Sequence, residues 1–93
     1  MEKNAYEQKA QAKIDELSAK IEVLNAKKDA AKADTKIEYE EKIKELNSLK
    51  NEIKEKFDNI KNSSDDAWKE LKSGFEKSSK IMEDTINSAL SKF

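Results

Sequence analysis

One apolar seam constrains this chain more than any other feature. It runs through Ala10, Ile14, Leu17, Ile21, Leu24, Lys28, Ala31, Thr35, Tyr39, Ile43, Leu46, Leu49, Ile53, Phe57, Ile60, Ser64, Trp68, Leu71, Phe75, Ser78, Met82, Ile86, Ala89 and Phe93, always in steps of three or four. Of these 24 positions, 20 are apolar; the exceptions are Lys28, Thr35, Ser64 and Ser78. Such spacing is helix periodicity, and strand alternation is not visible. The 83 residues from Ala10 to Phe93 take 23 steps, so the mean step is about 3.6. Residues 10–35 keep a heptad rhythm, which winds helices left-handedly. From Phe57 an 11-residue echo appears (Phe57/Trp68, Ile60/Leu71, Met82/Phe93), which runs straighter.

Composition supports the same reading. Charged residues are 42% of the chain and hydrophobic residues 35%, with no Pro and a single Gly, Gly74. Lys, Glu and Ala are the commonest residues, and these lose little side-chain freedom in a helix. Glu38/Lys42, Glu40/Lys44 and Glu52/Lys56 are Glu-before-Lys pairs one turn apart, which support a helix.

The one break that the sequence signals is Asn62-Ser63-Ser64-Asp65-Asp66, a cluster of capping residues in which Ser63 and Asp66 fit the S-x-x-D start pattern. The expected fold is all-α: a long coiled-coil helix over 1–61, a break over 62–66, and a C-terminal amphipathic helix over 67–93, forming a helical hairpin or coiled-coil assembly. A helix over residues 4–61 would be about 87 Å long, twice the reach of the second. Ile14, Leu17, Ile21 and Leu24 would then stay uncovered in a lone chain. A homo-oligomer is expected, a dimer first and a tetramer as the alternative.

The association seam is assigned to Ile14, Leu17, Ile21, Leu24, Tyr39, Ile43, Leu46, Ile53, Phe57, Ile60, Trp68, Leu71, Phe75, Met82, Ile86 and Phe93. Leu17→Asp or Ile53→Asp should dissociate such an assembly, because an unpaired charge would enter the interface. Lys28 either weakens the core and sets partner number or lets its long stem leave the interface. Gly74 lies off the seam, where it either admits another backbone or is tolerated.

Chemistry has little to work with. There is no His and no Cys, so the usual bases, thiol nucleophiles and zinc ligands are missing. No Gly-rich loop is present to cradle phosphate. The acid pairs Glu40-Glu41 and Asp65-Asp66 point about 100° apart on a helix and share a cation poorly. No enzymatic activity, cofactor or metal is expected. The charges nearly cancel, 19 basic against 20 acidic, and every basic residue is Lys. Without a basic face or Arg forks, nucleic acid is not an expected partner. The stretch from Met1 to Gln11 has no apolar segment and no apolar run reaches membrane-spanning length, so a cytoplasmic location is expected.

Trp68, Leu71, Phe75, Met82, Ile86, Ala89 and Phe93 share one face of the C-terminal helix, with Lys69, Lys72, Lys77, Lys80 and Lys92 elsewhere. A membrane surface is therefore an alternative partner. The stripe is narrow and flanked by Glu76 and Glu83, which fits a partner helix better. A desiccation-type protectant, disordered when dilute, is a further alternative, although Trp68 and Phe75 are unusual for one.

The stretch Asp66-Ala67-Trp68-Lys69-Glu70-Leu71-Lys72-Ser73-Gly74-Phe75-Glu76 resembles the C-terminal signature of a family of small bacterial coiled-coil proteins known from cyanobacteria and other bacteria. Ala31-Lys32-Ala33-Asp34 and Ile37-Glu38-Tyr39 are similar to the same family. Where that family often repeats its Ala-Trp element, this chain has Lys80-Ile81-Met82. The resemblance implies a soluble helical protein, in some members tied to stress responses, with no catalytic residues to carry over.

Overall fold

The computed structural model describes residues 2–93. Three helices fold onto one another: α1 (Glu2–Asp29), α2 (Ala33–Lys61) and α3 (Trp68–Lys92). The fold is all-α, and the bundle measures 50 × 18 × 16 Å. Side-chain contacts fix the directions. Lys3 near the start of α1 reaches the carbonyls of Lys61 (3.1 Å) and Ser63 (2.6 Å), so α1 and α2 run antiparallel. Tyr39 stacks on Phe93 at 4.0 Å between centroids, and Phe57 meets Phe75 at 6.2 Å, so α2 and α3 are antiparallel too. Tyr6 beside Trp68 (5.3 Å) and Lys20 beside Asn87 (3.3 Å) show that α1 and α3 run parallel.

This corrects the expectation of one helix over 1–61. The chain turns at Ala30–Lys32, between Asp29 and Ala33; Met1 lies outside the described residues. The physical reason is long-range. Folding back lets Ile14, Leu17, Ile21 and Leu24 bury against the chain's own helices, to 4, 1, 3 and 0% exposure. At roughly 1.5–3 kcal/mol for each such side chain, this outweighs the backbone groups left open at two new helix ends. Lys27 and Lys28 in the last turn of α1, and Asp34 in the first turn of α2, suit the dipoles of those ends. The premise that these four residues need a second molecule to cover them is therefore removed.

The break expected over 62–66 is present, since α2 ends at Lys61 and α3 begins at Trp68. Its capping differs by one residue from the S-x-x-D reading. Ser64 Oγ accepts from the Ala67 N–H (3.2 Å), while the Ser63 hydroxyl donates to the Ile60 carbonyl (2.6 Å). Thus Ser64, a polar gap in the seam, is a turn residue.

Gly74 lies inside α3, and a Cβ built there meets nothing within 4 Å. No backbone approaches it, so the residue is simply tolerated. Gly74→Ala should raise stability by about 0.5–1 kcal/mol through helix propensity alone. A thermal melt checks this, and a lower midpoint would mean that the site is more crowded than it is here.

Candidate interaction surface

The structure gathers the seam into one core shared by all three helices. Ile14, Leu17, Ile21 and Leu24 of α1, Tyr39, Ile43, Leu46, Ile53, Phe57 and Ile60 of α2, and Trp68, Phe75, Met82 and Ile86 of α3 are all buried. Phe93 packs partly against them. Leu71 does not join: it is 38% exposed. Since Phe57 faces Phe75, Leu71 lies one turn back along α3, level with the end of α2, while Trp68 beyond it is buried beside Tyr6 of α1. Lys28 and Thr35 are half-buried beside the α1–α2 turn.

Three participants were not assigned from the sequence. Tyr6 packs against the core and touches Trp68 and Phe75 (6.3 Å, edge-on). Its signal was present, because Tyr6 precedes Ala10 by one further step of four. Leu90 packs partly against the core beside Ala89, which is itself buried. Ser79 is buried although it lies off the seam.

Tyr6, Ala10, Ala12, Phe75 and Ser79 line an open cleft of about 460 Å³ between α1 and α3. Lys13 spans it, donating to Glu83 across the cleft and pairing with Glu16 on its own helix at 3.2 Å. The hydrogen bond from Lys13 is the main cause that holds the Glu83 carboxyl below its usual range, and the bond to Glu83 holds the Lys13 amine above its own. The Tyr6 hydroxyl donates to Glu76 Oε1 at 3.3 Å. Burial first, then the Glu76 charge, pushes that phenol well above its ordinary value, so it stays protonated as a donor. These bridges are solvent-screened and bring α1 and α3 into register more than they stabilise them.

Two adjacent serines of α3 differ in how they are satisfied. Ser78, buried on the seam, accepts from Lys56 Nζ of α2 at 2.6 Å. The Ser79 hydroxyl is buried and has no hydrogen-bond partner. Thr85 on the same helix satisfies its hydroxyl on the Ile81 carbonyl at 2.8 Å. An orphan buried hydroxyl costs about 1–3 kcal/mol. Ser79→Ala should therefore raise the melting midpoint by several degrees, about 4–8 °C per kcal/mol in a chain of this size. A midpoint at or below the parent's would show that the hydroxyl is bonded in solution.

Among the described residues, no group of three or more acidic, His or Cys side chains is placed to hold a metal ion. Nor is any described helix long and apolar enough to cross a membrane. The exposed large apolar side chains are Val23 of α1, Ile37 of α2, and Leu71 and Ile81 of α3. Comparison with protein-family models, curated proteins and solved structures gives no match.

Proposed function

We propose that this chain is a non-catalytic helical interaction protein that works by packing helices against helices and associates with further copies of itself. The observation that supports this most directly is how its apolar residues are spent. Each helix turns one narrow face inward, and those faces meet only one another. Lys and Glu fill the outer faces, so the recognition chemistry this chain offers is helix packing. Every helix face in the core has its complement in a second copy of the same chain, which makes a like molecule the natural partner. A cytoplasmic setting stays part of this proposal, and a link to stress responses is what the family resemblance implies.

The lipid-surface reading is disfavoured by the direction of the α3 stripe. Trp68, Phe75, Met82 and Ile86 are buried against α1 and α2, so lipid could reach them only after α3 left the bundle. A protectant disordered when dilute is disfavoured by the same core.

The test is sedimentation velocity with circular dichroism over a concentration series, with and without anionic phospholipid vesicles. The expected result is a chain that is helical at every concentration, forms a dimer as concentration rises, and ignores vesicles. A monomer at all concentrations would overturn self-association. Helicity that appears only with vesicles would favour the lipid reading.

A further inference from the structure

The two turns of the bundle are built differently. The α2–α3 turn is made of turn residues and is tied down by side chains. Ser63 bonds the Ile60 carbonyl, Ser64 caps the Ala67 N–H, and Lys3 of α1 bonds the carbonyls of Lys61 and Ser63. The α1–α2 turn has none of this. Its residues are Ala30, Ala31 and Lys32, all strong helix formers, with Asp29 and Ala33 on either side and no Gly, Pro or Asn. Its bonds are backbone only: Ala30 N–H to the Ala26 carbonyl (3.3 Å), Ala31 N–H to the Lys28 carbonyl (3.0 Å) and Lys36 N–H to the Lys32 carbonyl (2.9 Å). Lys32 stands at the start of α2 without a side-chain cap.

The seam passes through the α2–α3 turn in phase at Ser64, and through the α1–α2 turn in phase as well. Leu24, Lys28, Ala31, Thr35 and Tyr39 keep helical spacing across it. A turn that interrupts a helix normally breaks the phase or carries a breaker residue. Here the local sequence favours a straight helix, and only the burial of α1 against α2 and α3 bends it. A second copy can supply that same burial.

We propose that the α1–α2 turn is a hinge, and that two copies exchange α1 to form a swapped dimer. In it Ala30–Lys32 become helical, residues 2–61 form one helix of about 90 Å, and α1 of each copy packs on α2 and α3 of the other. This deepens the self-association reading and rests on it, naming the mode. Every core contact of the closed bundle is kept, those of α1 now between chains and those of α2 with α3 still within one. The backbone groups left open at the end of α1 and the start of α2 become bonded. Ala30, Ala31 and Ala33 are small enough for the two long helices to pass closely where they cross. Losing the freedom of one molecule opposes the exchange, so it is driven by concentration.

Two variants test it together. Ala33 is the first residue of α2 and follows Lys32, whose backbone is extended (φ −72°, ψ 157°). Proline fits a first helical position, and the residue before it prefers extended backbone, so Ala33→Pro is compatible with the closed bundle. In a continuous helix it sits in the interior, once per chain, and should weaken the swapped dimer more than about a thousandfold. Lys13→Cys with Glu83→Cys, in a chain that has no cysteine of its own, places two thiols at the α1–α3 contact. Oxidised at concentrations where the dimer forms, this pair should give disulfide-linked dimers on a denaturing gel, while Ala33→Pro should sediment as a folded monomer.

A dimer whose disulfides are all within single chains would overturn the exchange while leaving self-association intact, and so would an Ala33→Pro variant that still dimerises. A parent chain that stays monomeric at every concentration would overturn both.

Discussion

Circular dichroism of Ile53→Asp is expected to show a largely unfolded chain at room temperature. Ile53 is 1% exposed near the middle of α2, beside Ile14 and Leu17 of α1 and Met82 of α3. Losing its side chain costs about 2–5 kcal/mol in a packed core. The new carboxylate would also lose water, and Lys50 lines the same gap. An unpaired buried charge adds several kcal/mol more. Together these match the roughly 5–15 kcal/mol that holds a small domain folded. Ile53→Val at the same position should cost only about 0.5–1.5 kcal/mol and keep the helical spectrum. The pair separates charge burial from mere sensitivity of the site. From the sequence, the same substitution is expected to dissociate an assembly; with three helices of one chain sharing the core, it removes the fold of the chain itself. A parent-like spectrum and midpoint would place Ile53 outside the core.

The inward face of every helix was legible, because spacing of three and four records burial whatever the partner turns out to be. Fourteen of the sixteen assigned seam residues are buried, and Phe93 is partly so. Leu71 was misassigned because spacing says which face a residue is on, and not where the opposing helix stops. Ser79 was missed for a related reason. It lies four residues after Phe75, about 40° round the helix on the side that meets α1. A helix with two neighbours buries a wider arc than a single seam describes.

The turns divide in the same way. Asn62–Asp66 carries its own chemistry and could be read locally. Ala30–Lys32 carries none, and its bend is decided by residues 14–24 finding partners on α2 and α3. A local reading therefore produced a long helix there. That error has a physical basis, since the local preference for helix at the turn is what would allow two chains to exchange α1.

Phe75→Ala should lower the melting midpoint by about 12 °C or more. Phe75 is 3% exposed and touches an aromatic ring on each of the other helices, Tyr6 of α1 and Phe57 of α2. Truncation removes the burial of a large side chain, about 3–5 kcal/mol, together with two ring–ring contacts. The gap would open into the α1–α3 cleft that Phe75 already lines, so water can enter and the cost should fall toward the lower end of that range. Phe57 lines a cleft of its own between α1 and α2, so Phe57→Ala should cost a similar amount. The contacts with Tyr6 can be isolated by a double-mutant cycle of Tyr6→Leu and Phe75→Leu, with a coupling of about 0.5–1.5 kcal/mol expected if the rings meet as they do here. Coupling near zero would mean that the N-terminal turn of α1 is not docked on α3 in solution. A midpoint loss of only a few degrees for Phe75→Ala would mean that the third helix is held by its ends, by Trp68 and by Phe93 on Tyr39, and not by its middle.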